Sequence, residues 1–477
     1  MFTDVRINGE SVDLGEDIRI PINLLNPHLT YETIPDSTAT IPNIPFSVLN
    51  QRIFQYAEMP QAGNDLHSYD CELLYNGAMV YRGKAYVKSA NPLTGYQLEV
   101  GDDLSRFFGE HQRTLLTELD LGTVPLPPVI PPKVMVDDHA AVCFPKILNA
   151  DYYSTNGSTI AYNGVVNDYT APGFDSAQPD KPIVPMLFVN FLLKCIAAAT
   201  GITIGGNYLS HATWSQLILT NWRALDGAGT VTVNRHVPAW TIPTFLMELR
   251  KIPNLELKFD TAEKHLSIDF WEEKLILPPV ADWTQKAVIG HEKFPEFNRR
   301  LHLAFELDGG DSLMKDKPEP LVDYITPSEA VLGNVAIGLC KVPMKLSTFL
   351  TDEATGLPIA KQTGVTAQFN QLNVNAAPRL LFWHGLVSSI PKALPELDGI
   401  SLYITGENGI SETSWNRIEE MRLGMFYLKK SFVLTETDLA LLDFSRMIHY
   451  NGLNYLVAHV GGELPITKEF ACLLVKV

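Results

Sequence analysis

Two of the six Asn-Gly dipeptides, Asn76-Gly77 near the start of the chain and Asn451-Gly452 near its end, each sit between short runs rich in apolar residues. Both residues of such a pair tolerate positive φ, so each marks a tight antiparallel hairpin. Around the first, Tyr69–Leu74 leads into the turn and Met79–Arg82 returns. A further turn is expected at Gly83-Lys84, followed by strands over Ala85–Lys88 and Tyr96–Val100. Around the second, Met447–Tyr450 leads in, Leu453–Val460 returns, and a last strand ends at Val477. Short strands at regular spacing predict a barrel or sandwich at the start of the chain, and a second β domain closes it. Upstream, Ile34–Ser47 carries Pro35, Pro42, Asn43 and Pro45. Proline cannot donate to a ladder, so this stretch reads as an extended arm or edge segment.

The material between the two β regions is mixed. Five prolines within Val124–Lys133 predict a stiff linker. Residues 150–182, rich in Asn, Gly, Ser, Tyr and Pro, read as a long surface loop. Leu187, Phe188, Phe191, Leu192, Cys195, Ile196 and Ala199 recur at helical spacing, and Gly201 ends that helix. A second helix begins near Thr241 with Pro243 in its first turn and ends before Pro253. Leu255–Phe259 and Leu266–Phe270 then form a hairpin around Asp260–Lys264. Further strands are expected at Leu301–Glu306, Val335–Val342, Arg379–Trp383, Ile400–Ile404 and Met425–Leu428. Thr435 with Asp438 resembles a capping box before a short helix over Leu439–Leu442. No short-period repeat is present, which argues against a solenoid or propeller.

With 477 residues, 46% hydrophobic and 19% charged, the chain is long enough for several packed domains. Its net charge of −17 repels phosphate backbones, which argues against a nucleic-acid grip through a basic stripe. An acidic wall past which nucleic acid slides is compatible with that charge. Cys71, Cys143, Cys195, Cys340 and Cys472 are scattered, odd in number and without a CxxC pair, so they read as reduced, mostly buried thiols. Charges interrupt residues 1–20, which is not the pattern of a signal peptide. Met186–Ile204, the most apolar stretch, contains Asn190 and Lys194 and reads as a core helix rather than a membrane span. The chain is expected to fold in a cytoplasm.

No G-x-S-x-G, H-E-x-x-H, Walker or dinucleotide motif occurs. Asp137-Asp138-His139 has metal-ligand residue types, yet adjacent residues rarely converge on one ion and a solvated turn is expected. His291-Glu292 has no ligand partner at the right spacing and reads as a surface pair. Asp308-Gly309-Gly310-Asp311 has the composition of a calcium loop without its ligand alternation, so a plain hairpin or loop is expected. Tyr152, Tyr153, Tyr162, Tyr169 and Phe174 either pin their loop onto the domain or form a sugar- or protein-binding platform. A glycosidase carboxylate pair is defined by spatial separation rather than by counting. We assign no catalytic, cofactor or metal residue.

Several segments, taken in order, resemble a family of tail proteins from phages and prophages of Bacteroidetes-type bacteria. Val12-Asp13-Leu14, Ile41–Ser47 and Ile53-Phe54 are similar to that family's opening. Cys71–Val80, continued to Gly83, resembles its hairpin; Val189–Gly201 with Trp214–Leu219 resembles its helix and following strand; Asp282-Trp283-Thr284 matches a recurring triplet. Pro378–Trp383, Phe432–Phe444 and Ile448–Tyr455 resemble its closing motifs, whereas Asp311–Gln371 does not align.

The resemblance implies a baseplate or tail-tip hub of β-rich α+β class, in which two antiparallel β-barrel tube-type domains flank smaller α/β insertion domains. On that basis we divide the chain into an N-terminal barrel at 1–122, a proline linker with loop and helix at 123–235, a helix-plus-hairpin subdomain at 236–296, and a C-terminal barrel with an inserted loop at 297–477. The implied protein is a non-enzymatic homotrimer with no cofactor. It would adapt a six-fold tail tube to the distal tip, with neighbours among tail tube, distal tail, fibre or spike and tape measure proteins. DNA would pass through its lumen without specific binding, and no stable membrane insertion is implied. Alternatives from other classes are a receptor- or carbohydrate-binding tail protein using the loop at 150–175, and a tail-associated cell-wall hydrolase.

Overall fold

The structure, a computed structural model, describes residues 2–61, 67–102, 104, 107–171, 173–174, 180–261, 263–328, 337–372 and 376–477. Strands from both ends of the chain form one 13-stranded sheet. The N-terminal part contributes, in spatial order, Glu10–Ser11, Thr3–Ile7, Ser68–Tyr75, Ala78–Asn91, Gly95–Gly101, Thr38–Ile44 and Ile20–Leu25. The C-terminal part continues it with Leu453–Leu464, Phe470–Lys476, Phe426–Phe432 and, at the far edge, Glu292–Pro295. Met447–Tyr450 pairs with Leu453–Leu464 and carries Ala281–Asp282 on its other side.

The seam between the two parts is an antiparallel ladder running in register from Ile20↔Leu464 to Leu25↔His459. Beneath it lies one core, in which Val5, Ile22, Ile41, Leu73 and Leu98 meet Leu428, Phe432, Val460, Phe470 and Leu474. Each such side chain stabilises the fold by roughly 1.5–3 kcal/mol on burial. The expectation of a separate barrel at each end is therefore replaced by a single body. A barrel closes by pairing its own first and last strands, whereas here a strand of each half is used to join the other half. Among the described residues the sheet stays open at Glu10–Ser11 and Glu292–Pro295.

Both Asn-Gly hairpins form. Asn76 and Gly77 have φ of 48° and 83°, and Asn451 and Gly452 have φ of 48° and 82°. Two local expectations are corrected. Residues Gly83-Lys84 make no turn, because Ala78–Asn91 is one continuous strand. Gly83 serves close approach instead, since a Cβ there would lie 2.2 Å from the Gly101 carbonyl oxygen of the adjoining strand. The proline-bearing segment is no arm or edge, because Thr38–Ile44 lies inside the sheet between Gly95–Gly101 and Ile20–Leu25. A bulge between Ile41 and Ile44 takes up Pro42 and Asn43, where the missing donor breaks no ladder bond.

The middle of the chain builds a second, larger core. Its main sheet is antiparallel in the order Ile390–Leu394, Arg379–Val387, Leu217–Thr220, Met186–Phe188, His139–Cys143, Lys133–Val136. The helix Val189–Thr200 packs against it and ends at Gly201 with φ 67°. Thr241 caps the helix Ile242–Lys251 by accepting from the Thr244 amide, and the hairpin Leu255–Asp260 and His265–Phe270 follows. The proline-rich segment is no free spacer: Val124 and Ile130 are buried in this core, and Thr123–Pro125 pairs with Thr230–Thr232.

Phe107 and Phe108 already belong to the middle core, as do Leu301, Val342 and Phe382, while Glu292–Pro295 joins the terminal sheet. The strand expected at Val335–Val342 is Leu339–Met344, with 335–336 outside the described residues. Of Ile400–Ile404 only Ile400–Ser401 pairs, with Glu396–Leu397. The Thr435–Asp438 capping box is present on the helix Glu436–Ala440.

Candidate assembly surface

The terminal sheet has one face on its core and one turned outward, and strand register arranges the outward residues in rows. One row runs Asp70, Lys84, Gly101, Thr38, Asn23, Gly461, Ala471, Ser431 across eight strands. Its N-terminal end is charged and its centre, over the seam, consists of small uncharged side chains. The charges toward that end are paired: Lys84 meets Asp70 at 2.6 Å, Arg82 meets Glu72 at 3.7 Å, and Lys88 meets Glu99 at 2.8 Å. The result is a nearly neutral panel on an acidic chain. At the seam the His459 ring lies over Gly461, where a Cβ would sit 2.9 Å from its Cε1, and its Nε2 bonds the Asn23 side chain. Burial lowers the His459 pKa, which keeps this ring neutral at the centre of the panel.

At the far edge all of Glu292–Pro295 is exposed. Phe294 stacks on Tyr427 at 5.3 Å, and Lys293 sits 3.9 Å over the Phe426 ring. A free edge carries unpaired backbone groups, and lysine and proline on it discourage indiscriminate pairing.

A loop holds the panel to the middle body. Asn26 donates to the Phe444 and Val457 carbonyls at 2.9 and 2.8 Å, anchoring the loop's start in the terminal sheet. Arg250, itself buried, donates to the carbonyls of His28, Thr30 and Leu255 at 2.9, 2.9 and 3.1 Å. Tyr31 packs on Trp415 at 4.7 Å, and the indole Nε1 of Trp415 donates to the Lys251 carbonyl at 3.0 Å. His28 Nε2 lies 3.5 Å from Glu256 Oε1, with both side chains buried. Burial, then the Arg250 charge, pulls the His28 pKa down to about 3, while burial raises that of Glu256. Both shifts favour the neutral forms, so the contact is not an ion pair near neutral pH.

The residues with site-like chemistry do not come together. Asp137 and Asp138, with φ of 47° and 63°, form the exposed turn between Lys133–Val136 and His139–Cys143. His291 and Glu292 are exposed at the sheet edge. Asp308–Asp311 is a loop, as expected, and its two carboxylates are buried around Arg379, which lies 2.7 Å from Asp311 and 3.9 Å from Asp308. Asp308 also accepts from the Gly310 and Ala377 amides, and Asp311 from those of Leu313 and Lys361. Carboxylates whose oxygens face N–H donors are poorly placed to take a cation.

The aromatic loop turns inward. Tyr152, Tyr153 and Phe174 are buried, and Tyr153 meets Tyr152, Tyr162 and Phe369 edge-on at 5.0, 5.1 and 5.9 Å. The Tyr152 hydroxyl donates to the Trp222 carbonyl at 3.1 Å and that of Tyr162 to Asn149 at 2.8 Å. These rings pin the loop, which leaves little of them for a ligand. All five cysteines are free, and burial pushes the thiols of Cys71 and Cys472 up to about 12. Among the described residues no group of three or more His, Cys, Asp or Glu is placed to hold a metal, and no helix is long and apolar enough to cross a membrane.

Reading motifs alone misses the Arg250 and Arg379 nodes, whose partners lie far off in sequence with no local signal. No family model matches the chain, and no curated protein matches it. Similar solved structures include the 43 kDa tail protein of prophage MuSo2 from Shewanella oneidensis, at 9% identity and TM-score 0.38 over 100% of this chain and 97% of that one. The tail protein from Neisseria meningitidis MC58 gives 11% identity and TM-score 0.39 over 99% and 95%. Prophage tail protein gp18 from Listeria monocytogenes EGD-e gives 8% identity and TM-score 0.41 over 99% and 94%.

Proposed function

We propose that this chain is a structural, non-enzymatic subunit of a phage tail: a hub at the distal tip, assembled as a trimeric ring between the tail tube and the distal tail, fibre or spike proteins. The observation that supports it best is the single sheet built from both chain ends. The N-terminal and C-terminal halves of that sheet stand side by side on each subunit. Three copies offer six such halves, the number a six-fold tube requires. The register-paired charges and the small residues over the seam leave an outer face suited to extended protein contact. Net charge −17 suits a lumen that DNA leaves through without sticking. The ring would assemble in the host cytoplasm and reside at the virion tail tip, with the tape measure protein as a further neighbour.

The receptor- or carbohydrate-binding reading is disfavoured by the inward rings of the 150–175 loop. The test is electron microscopy with sedimentation of the purified full chain, alone and mixed with tube and distal tail proteins. Three-fold rings with a central hole are expected. A strict monomer at high concentration, with no affinity for either neighbour, would overturn the proposal.

A further inference from the structure

On a chain this acidic, arginine side chains usually meet a carboxylate or a carbonyl, and most described ones here do. Arg223 and Arg235 are exceptions: neither guanidinium has a hydrogen-bond or ion-pair partner among the described residues. Both line the same cavity, of about 580 Å³, and among the described residues no aspartate or glutamate lines it. The contrast with the cavity of about 450 Å³ between the terminal sheet and the middle body is plain, since Asp102, Asp260 and Asp443 line that one. Asp226, whose charge reaches Arg223, is already occupied by the Thr366 hydroxyl and the Ala367 amide at 2.5 and 2.9 Å.

The two arginines are held in place through their backbones. The Arg223 amide donates to Asn221 Oδ1 at 2.9 Å, and the Ala224 amide to the Val365 carbonyl at 2.8 Å. Arg235 ends the short turn Val233–Arg235, fixed by Asn234 Nδ2 donating to the Leu119 carbonyl at 2.8 Å. His236, buried beside them with Nδ1 3.2 Å from Asn221 Oδ1, is pulled down to about 3 by burial and then by the charges of Arg223 and Arg235. Two positive charges thus meet at this cavity, and Asp226 offsets part of the Arg223 charge from outside the lining. The lining also has an apolar, proline-bearing part, with Val237, Pro238 and Pro378.

We infer that this cavity binds a phosphate-type oxyanion, free or carried on a small organic molecule, with Arg223 and Arg235 as its two forks and the proline-lined wall against the carrier. Planar guanidinium groups match the spacing of phosphate oxygens, and hydrogen bonds between charged groups are the stronger kind. The inference does not depend on the tail assignment.

The test is calorimetric titration of the full chain with inorganic phosphate and with glycerol 3-phosphate, against chloride at matched ionic strength. Wild type should bind, and Arg235→Gln should bind ~10-fold more weakly or worse. Arg235 is exposed, so this variant should keep its melting temperature in chloride. Arg223→Gln should weaken binding similarly, and Lys429→Gln on the terminal sheet should not change it. Tighter binding of glycerol 3-phosphate assigns the apolar wall to the carrier, and equal binding assigns the site to bare phosphate. No heat above chloride, or equal affinity in wild type and Arg235→Gln, overturns the inference.

Discussion

The terminal sheet and the middle body handle charge in opposite ways. In the sheet, charges stand on the outer face in register pairs such as Asp70 with Lys84, and the inner face is almost wholly apolar. In the middle body, Arg250, Arg379, Asp311, Glu248, Lys251 and Glu256 are buried. Lys251 meets Glu248 at 2.7 Å and the Pro343 carbonyl at 2.9 Å, and Glu248 accepts from the Lys345 amide at 2.7 Å, so one polar node ties a helix to a strand. A long sheet with regular alternation specifies its own register. Many short strands do not, and satisfied polar nodes supply the specificity that alternation cannot.

Removing a node should therefore hurt far more than removing a surface pair. Arg379→Met leaves Asp311 buried without its cation, and chemical denaturation should show a loss of about 3–5 kcal/mol. A loss below about 1 kcal/mol would make the node incidental.

Acid should expose the second difference. His28 and His236 have folded pKa values of about 3 against 6.5 for the free side chain. The unfolded chain binds protons that the folded chain refuses, so stability is full above about pH 6.5 and falls as pH drops toward 3. The slope is up to about 1.4 kcal/mol per pH unit per histidine. Glu256, raised by burial, acts oppositely, losing stabilisation as pH rises above the ordinary carboxylate range. Thermal melts from pH 7 to 4.5 should decline, and His28→Gln should flatten the decline; an unchanged slope would contradict the assignment.

Within the sheet, Gly83→Ala pushes a methyl group into the Gly101 carbonyl and should cost about 1–3 kcal/mol, read by the same denaturation. Lys84→Ala breaks a pair whose aspartate is two-thirds exposed and should change stability by less than about 1 kcal/mol. Reversal of that order would erase the distinction between backbone approach and surface charge.

The same contrast explains what was legible in the sequence. The Asn-Gly hairpins, the helix stop at Gly201, the Thr241 cap and the Thr435–Asp438 box carry their chemistry within a few residues, and all appear in the structure. Alternation says which residues face a core but not which strand lies alongside. The seam, where Asn23 meets His459 across 436 residues, therefore has no local signature. Pro42 was misleading because a bulge excuses a missing donor, and Gly83 because close approach and turns both favour glycine. The Asp308–Asp311 stretch advertised its loop but not its buried partner Arg379, which lies 68 residues beyond Asp311.

The claim on which the rest stands is that the two chain ends are one sheet, and native-state hydrogen exchange across a denaturant series tests it most directly. Amides of Ile20–Leu25 and His459–Leu464 should lose protection together, at one denaturant concentration and with one free energy. Protection that disappears from one of these strands while the other stays protected would contradict it.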